Sequence, residues 1–174
     1  MFFDRDGIVN ESPGQGRYVT RWQDFHLVPE FPICLRSVLK MGYQAALITN
    51  QRAVARGLMS IKDLEDIHAR LKRLLMRRYG LALLDIAYCP HNTNECSCRK
   101  PNPGMLLAMA DKHSLDLAAS WMIGDSETDV EAGKRAGCRT ILVAGTLHSA
   151  DSKADVRVPS MRALIKKIHR ILSG

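Results

Sequence analysis

Apolar positions along this chain switch between strand-like runs and helical spacing, and the switches mark its elements. Met1-Phe2-Phe3 reads as a buried strand. Leu35, Val38, Leu39 and Met41 recur at helical spacing and stop at Gly42, after which Tyr43 to Ile48 forms a second buried strand leading into Thr49-Asn50-Gln51. Ser60-Ile61-Lys62-Asp63 is a capping box with Asp in the acidic place, followed by Leu64, Ile67, Leu71, Leu74 and Leu75 on one helix face, with Gly80 as the stop. Asp85 to Tyr88 is a short strand, and Pro103 opens a helix carrying Leu106, Leu107 and Met109. Trp121 to Gly124, Thr140 to Val143 and Val156 to Val158 complete the strands. A helix from about Glu127 to Ala136 ends at Gly137, and Pro159 or Ser160 starts a last one with Leu164, Ile165, Ile168 and Leu172 on one face. Alternating helices and strands predict a doubly wound parallel α/β sheet with a Rossmann-like layout and no large cap domain.

Residues 10–29 break the alternation. Asn10 to Gly16 is turn-forming, with Tyr18, Val19, Trp22 and Phe25 as the apolar anchors, so this loop is expected to act as a lid bordering the ligand. With 174 residues and 46% hydrophobic content the chain is expected to be one domain, 1–174. No apolar run approaches the roughly 18 residues of a membrane span, and a soluble cytoplasmic protein is expected. The net charge of +7 suits an anionic ligand. Only three residues precede Asp4, which leaves open a clipped first strand or a natural start further upstream.

The candidate chemistry gathers at strand ends. Asp4 and Asp6 follow the first strand, Thr49 the second, Arg99-Lys100 the segment after the third, and Asp125 with Asp129 the fourth. Carboxyl ends of parallel strands share one sheet edge, so these groups are expected to converge. An acidic pair before a glycine is on its own most often a solvated turn, and the other strand-end residues shift that balance. Residues i and i+2 point the same way on an extended segment, so one aspartate can serve as nucleophile or metal ligand and the other as general acid or base. Several acids at one point repel unless a divalent cation binds, and an all-oxygen donor set suits Mg²⁺. Phosphate chemistry follows as the expectation.

Five cysteines, three of them within ten residues, are wrongly distributed for a disulfide framework. Cys89, His91, Cys96 and Cys98 give Cys-x-His-x4-Cys-x-Cys, a full ligand set for structural Zn²⁺ with no position left for water. The loop 89–98 lies directly before Arg99-Lys100, so zinc would set the place of the lysine.

Asp4-Arg5-Asp6-Gly7, Thr49-Asn50-Gln51, Lys100 and Gly124-Asp125 through Asp129 resemble, in order and strand context, the four motifs of the haloacid-dehalogenase-like phosphatases. That resemblance implies that Asp4 attacks phosphorus to form an aspartyl-phosphate, while Asp6 protonates the leaving alcohol and then activates water. It implies Mg²⁺ held by the Asp4 and Asp125 carboxylates and the Asp6 carbonyl, phosphoryl contacts from Thr49 and the Asn50 amide, and Lys100 pairing with Asp4 and the transferring group. Asp129 either assists the metal or holds the loop, or is an ordinary first-turn acid.

The cysteine loop with Arg99-Lys100-Pro101-Asn102-Pro103-Gly104-Met105 is similar to a narrower group, the heptose bisphosphate phosphatases and histidinol-phosphate phosphatases. Tyr18-Val19, Asp24-Phe25 and Ala55-Arg56-Gly57 favour the former, which implies release of the 7-phosphate of D-glycero-D-manno-heptose 1,7-bisphosphate, a small sugar bisphosphate. Asn50, Gln51, Arg52 and Arg99 are then the substrate-binding candidates. Arg52-Ala53 stands where that group usually has Ser-Gly, and Ser126 where a basic residue is common. Arg52 therefore either contacts a second phosphate or sugar hydroxyl or points to solvent. The short cysteine loop is closer in length to histidinol-phosphate phosphatases, and polynucleotide 3′-phosphatases share two of the motifs. Arg70 to Arg73 and Arg77-Arg78 lie on an amphipathic helix whose charged face is expected to be solvated, so nucleic acid is not the expected partner. A monomer is expected, and a non-catalytic zinc-containing module is the remaining alternative.

Overall fold

The computed structural model describes residues 1–143 and 152–173; residues 144–151 and 174, which the single-domain expectation also covers, lie outside them. Six strands form one parallel sheet: β1 Phe2–Phe3, β2 Ala46–Asn50, β3 Asp85–Cys89, β4 Trp121–Gly124, β5 Arg139–Val143 and β6 Val156–Val158. Five helices connect or flank them: α1 Phe31–Lys40, α2 Ile61–Leu74, α3 Gly104–His113, α4 Glu127–Ala136 and α5 Met161–Ser173. The strand order β3-β2-β1-β4-β5-β6 makes β1 central and reverses the crossover direction between β1 and β4. In such sheets the ligand crevice opens at that reversal, beyond the carboxyl ends of the strands.

Successive side chains of a strand face opposite sides, and β1 shows it in two residues. Phe3, with Leu47, Ile123 and Ile141, packs with apolar residues of α1, α2 and α5. Phe2, with Ala46, Ile48 and Met122, belongs to a smaller core shared with α3 and α4. Phe3 meets Phe31 of α1 edge-on at 5.4 Å, a geometry that adds about 1 kcal/mol beyond area burial.

Helix starts and stops follow the expected signals, β3 and β5 each gain one residue, and the largest shift is in β2. The Ser60–Asp63 capping box starts α2, a second box from Ser126 to Asp129 starts α4, and left-handed Gly137 ends it. α2 widens into a π turn over Leu75–Tyr79 before stopping at left-handed Gly80. Strand β2 begins and ends later than the expected Tyr43–Ile48. Pairing to the neighbours starts where Ala46 donates to the Met1 carbonyl and continues to Asn50, which lies opposite Cys89. The loop 10–29 divides in two. Its second part is core: Val19 and Phe25 are buried, and Trp22 stacks on Phe25 at 5.1 Å. Only the stretch from Ser12 to Tyr18 borders the crevice.

Candidate active site

Asp4 leaves β1 and Asp125 leaves β4, on the two strands flanking the reversal, and Thr49 lies near the end of β2. Lys100 reaches them from the segment between β3 and α3. Asp4, Asp6, Thr49, Asn50, Lys100, Asp125 and Asp129 line one cavity of about 250 Å³, rimmed by Ser12, Arg17, Tyr18 and Thr128. Two glycines let the carboxylates close in. Gly7 has φ +91 and a Cβ there would lie 1.9 Å from Asp125 Oδ2, while a Cβ on Gly124 would lie 2.3 Å from the Asp129 side chain.

Lys100 is buried and its Nζ donates to Asp4 Oδ1 at 2.6 Å and to the Ile48 carbonyl at 2.8 Å, while pairing with Asp129 Oδ1 at 2.6 Å. Burial alone would discharge the amine, but Asp129 and Asp4 outweigh it and hold the ammonium above its ordinary value. Burial also raises the Asp4 carboxyl against the pull of Lys100, with Asp129 and Asp6 adding to the rise. The Asp125 carboxyl is pushed up to about 6 by burial first and Asp129 next. Three buried or half-buried acids share one lysine, a cluster short of positive charge. Carboxylate oxygens of Asp4, Asp125 and Asp129 lie within 4.8 Å of one another, a hard all-oxygen set that fits a small divalent cation.

Asp129 does two jobs at once. Its Oδ1 faces Lys100, and its Oδ2 accepts from the Ser126 amide at 3.1 Å and hydroxyl at 2.6 Å, so the first-turn acid of α4 also fixes the lysine. Asp6 is held by three donors: Arg5 at 3.0 Å, Asn10 Nδ2 at 2.9 Å and Gln51 Nε2 at 3.1 Å. Gln51 also donates to Thr49 Oγ1 at 2.9 Å, which leaves the Thr49 hydroxyl hydrogen free to point at a ligand. Gln51 is thus buried behind the cavity, gripping Asp6 and Thr49, and is not among its lining residues.

The Asn50 side chain clamps the backbone of Lys100 with a reciprocal pair, Nδ2 to the carbonyl and the amide to Oδ1, each 3.1 Å. Arg52 and Arg99 are turned toward the cysteine loop: Arg52 Nε donates to Asn92 Oδ1 at 3.0 Å and Arg99 Nη1 to the His91 carbonyl at 3.3 Å. Neither lines the cavity, where the rim guanidinium is that of Arg17. Arg5, Asn10 and Arg17 were not singled out by motif reasoning. Arg5 lies inside the Asp-x-Asp motif at its variable position, and Arg17 lies in a glycine-rich loop without a pattern.

Cys89, His91, Cys96 and Cys98 close into a second cluster. Cys89 Sγ lies 3.4 Å from Cys96 Sγ and 3.6 Å from His91 Nδ1, and Cys98 Sγ lies 3.2 Å from Cys96 Sγ and 3.4 Å from His91 Nδ1. Four soft or borderline donors at near-equal spacing fit a tetrahedral metal with a complete protein ligand set.

The HAD-hydrolase-like family model matches residues 97–164. A D-glycero-beta-D-manno-heptose-1,7-bisphosphate 7-phosphatase of Pseudomonas putida is 36% identical over 144 residues, which cover 82% of this chain and 81% of the relative. The enzyme of that name from Helicobacter pylori strain 26695 is 38% identical over 144 residues, covering 82% of each chain. The crystal structure of D,D-heptose 1,7-bisphosphate phosphatase from B. bronchiseptica, complexed with magnesium and phosphate, superposes with a TM-score of 0.83 at 28% identity and covers 98% of both chains. Fold, site and these likenesses agree: the chain belongs to the heptose bisphosphate phosphatase family of the haloacid-dehalogenase-like hydrolases.

Proposed function

We propose that this protein is a Mg²⁺-dependent phosphomonoesterase that removes the 7-phosphate of D-glycero-D-manno-heptose 1,7-bisphosphate. The observation that carries the reading is one cavity in which Asp4 is paired with buried Lys100, beside Asp6, Thr49 and Asp125. Relatives that carry the heptose phosphatase name over four fifths of the chain support the substrate.

The Asp4 carboxylate attacks phosphorus, forming an acyl phosphate as the bond to the sugar oxygen breaks. The electron pair goes to that oxygen, which takes the proton of Asp6. Asp6, now a carboxylate, removes a proton from water as the water attacks phosphorus, and the bond to Asp4 breaks to return its carboxylate and inorganic phosphate. The Thr49 hydroxyl and the Asn50 amide donate to phosphoryl oxygens, and Lys100 offsets charge on Asp4 and the transferring group. The Asp4 and Asp125 carboxylates and the Asp6 carbonyl would hold Mg²⁺, which when bound supplies positive charge between an anionic nucleophile and an anionic phosphate. Asp129 holds Lys100 in register. The Cys89, His91, Cys96 and Cys98 cluster would hold structural Zn²⁺ and stiffen the path to Lys100.

A second phosphate needs a second cation, because Lys100 is already engaged by two carboxylates. Arg17 is assigned that role from the rim, and Arg99 and Arg52 would join it by turning from the cysteine loop, where they donate to the His91 carbonyl and to Asn92. The protein acts as a monomer of one domain over residues 1–174, with the 12–18 segment, among the described residues, bordering the cavity as a lid. A phosphate-release panel of heptose 1,7-bisphosphate, histidinol phosphate and a 3′-phosphorylated oligonucleotide tests the assignment. Highest kcat/KM on the heptose bisphosphate is expected, and preference for either other ester overturns the substrate.

A further inference from the structure

Beneath Asp6 lies a cation that the proposed mechanism leaves without a task. Arg5 separates the two catalytic aspartates in sequence, and its side chain is completely buried. An unpaired charge there would cost several kcal/mol, so its partners are informative. Nε and Nη2 donate to Asp6 Oδ1 at 3.2 and 3.0 Å, and Nη2 also reaches Oδ2 at 3.1 Å. Among the described residues Asp6 is the only carboxylate paired with Arg5. On the far side, Nη1 lies 3.3 Å from Nε2 of His68, a buried residue of α2. Arginine has only donors, so Nε2 is the acceptor and the ring proton sits on Nδ1. Burial first and Arg5 second push His68 down to about 3, which keeps that acceptor neutral.

The donors on Asp6 are unevenly distributed. Oδ1 receives both Arg5 and Asn10, whereas Oδ2 receives Gln51 and the longer of the two Nη2 contacts. We infer that Arg5, backed by His68, is the positioning residue of the proton-transfer step, fixing the orientation of the Asp6 carboxyl through contacts to both of its oxygens. The proton leaves the Asp6 carboxyl for the sugar oxygen as the phosphorus–oxygen bond breaks, and the guanidinium meets the negative charge that then develops on Asp6. An interaction that strengthens as charge develops lowers the barrier, which a merely structural contact does not do. The inference rests on the acid–base role proposed for Asp6.

Leaving-group dependence separates these possibilities, because an alkoxide requires a proton to depart and p-nitrophenolate does not. In the Mg²⁺- and Zn²⁺-loaded protein, kcat/KM is measured on heptose 1,7-bisphosphate and on p-nitrophenyl phosphate for wild type, Asp6→Asn and Arg5→Met. Loss of general acid catalysis is worth about 100-fold or more, so Asp6→Asn should fall by that much on the sugar ester and far less on the aryl ester. Arg5→Met should show the same substrate-selective loss, at about tenfold or more on the sugar ester. Should Arg5→Met fail to fold, His68→Leu and His68→Gln carry the test: Leu, without an acceptor, gives the selective loss, and Gln, with an acceptor in the place of Nε2, preserves wild-type selectivity. Equal losses on both esters in Arg5→Met, or no difference between the His68 variants, overturn the role of Arg5 alone. Equal losses in Asp6→Asn overturn the acid–base role of Asp6, and the inference with it.

Discussion

Lys100 shows how much one buried cation holds in place here, with Asp4 and Asp129 each at 2.6 Å. Replacing it by an apolar residue strands two carboxylates in the crevice, so Lys100→Met is expected to lower kcat by about 100-fold or more. The protein should also become more dependent on divalent cation for its melting temperature, which a thermal scan with and without Mg²⁺ reads directly. At the rim, Arg17→Met is expected to raise KM about tenfold for the bisphosphate while leaving a heptose monophosphate little changed, an electrostatic loss of about 1.4 kcal/mol. The same rise for both esters would remove Arg17 from recognition of the second phosphate. Residue chemistry was legible in the sequence where a motif fixes both type and place, as for Asp4, Asp6, Thr49, Lys100 and Asp125, which the fold brings into one cavity. Asn50, Gln51, Arg52 and Arg99 were harder, because a motif says which residues are near and not which atoms they touch. The Gln51 amide turns inward to Asp6 and Thr49, the Asn50 side chain grips Lys100, and the two arginines turn to the cysteine loop.

Among the elements, α2 carries a pH signature. His68 titrates near 6.5 when unfolded and is pushed down to about 3 when folded, so below 6.5 the unfolded chain takes up a proton that the folded chain refuses. Stability from this group is intact above 6.5 and falls with pH through the window down to about 3, amounting to about 2 kcal/mol between about pH 7 and pH 5. Denaturant melts at both pH values check this: His68→Gln should lose about that much less than wild type. The cysteine loop makes a second prediction. Zn²⁺ removal by a chelator, or Cys96→Ser, should lower kcat more than it changes KM, because Asn50 and the loop both bear on Lys100; unchanged kcat in zinc-free protein would uncouple the loop from the chemistry. Helix boundaries were readable because caps and glycines are local signals, as at Ser60, Gly80 and Gly137. The limits of β2 were not, since they depend on where Met1 and Cys89 lie across the ladder. The split of the 10–29 loop into a cavity rim and a core-anchored return was likewise invisible, because Val19 and Phe25 find their partners only in the folded core.

At the scale of the whole molecule, the sheet order places Asp4 and Asp125 on the two strands where the crossover reverses, and this sets the crevice. Both core clusters meet across β1, whose Phe2 and Phe3 face opposite layers, so the layers are expected to unfold together. A single transition by far-UV and near-UV circular dichroism checks this, and separate transitions would divide the domain. No helix among the described residues is long and apolar enough to cross a membrane. The alternating pattern revealed this architecture because both faces of a doubly wound sheet need apolar strands. The substrate was legible only through likeness to relatives, since the cavity displays phosphate chemistry more plainly than it displays a sugar. The most direct test of the account is position-resolved phosphate release from D-glycero-D-manno-heptose 1,7-bisphosphate by the Mg²⁺-loaded protein, with Asp4→Asn alongside. Release from position 7 by the wild type, leaving the 1-phosphate, and none by Asp4→Asn is the predicted result; release from position 1, or undiminished turnover by Asp4→Asn, contradicts it.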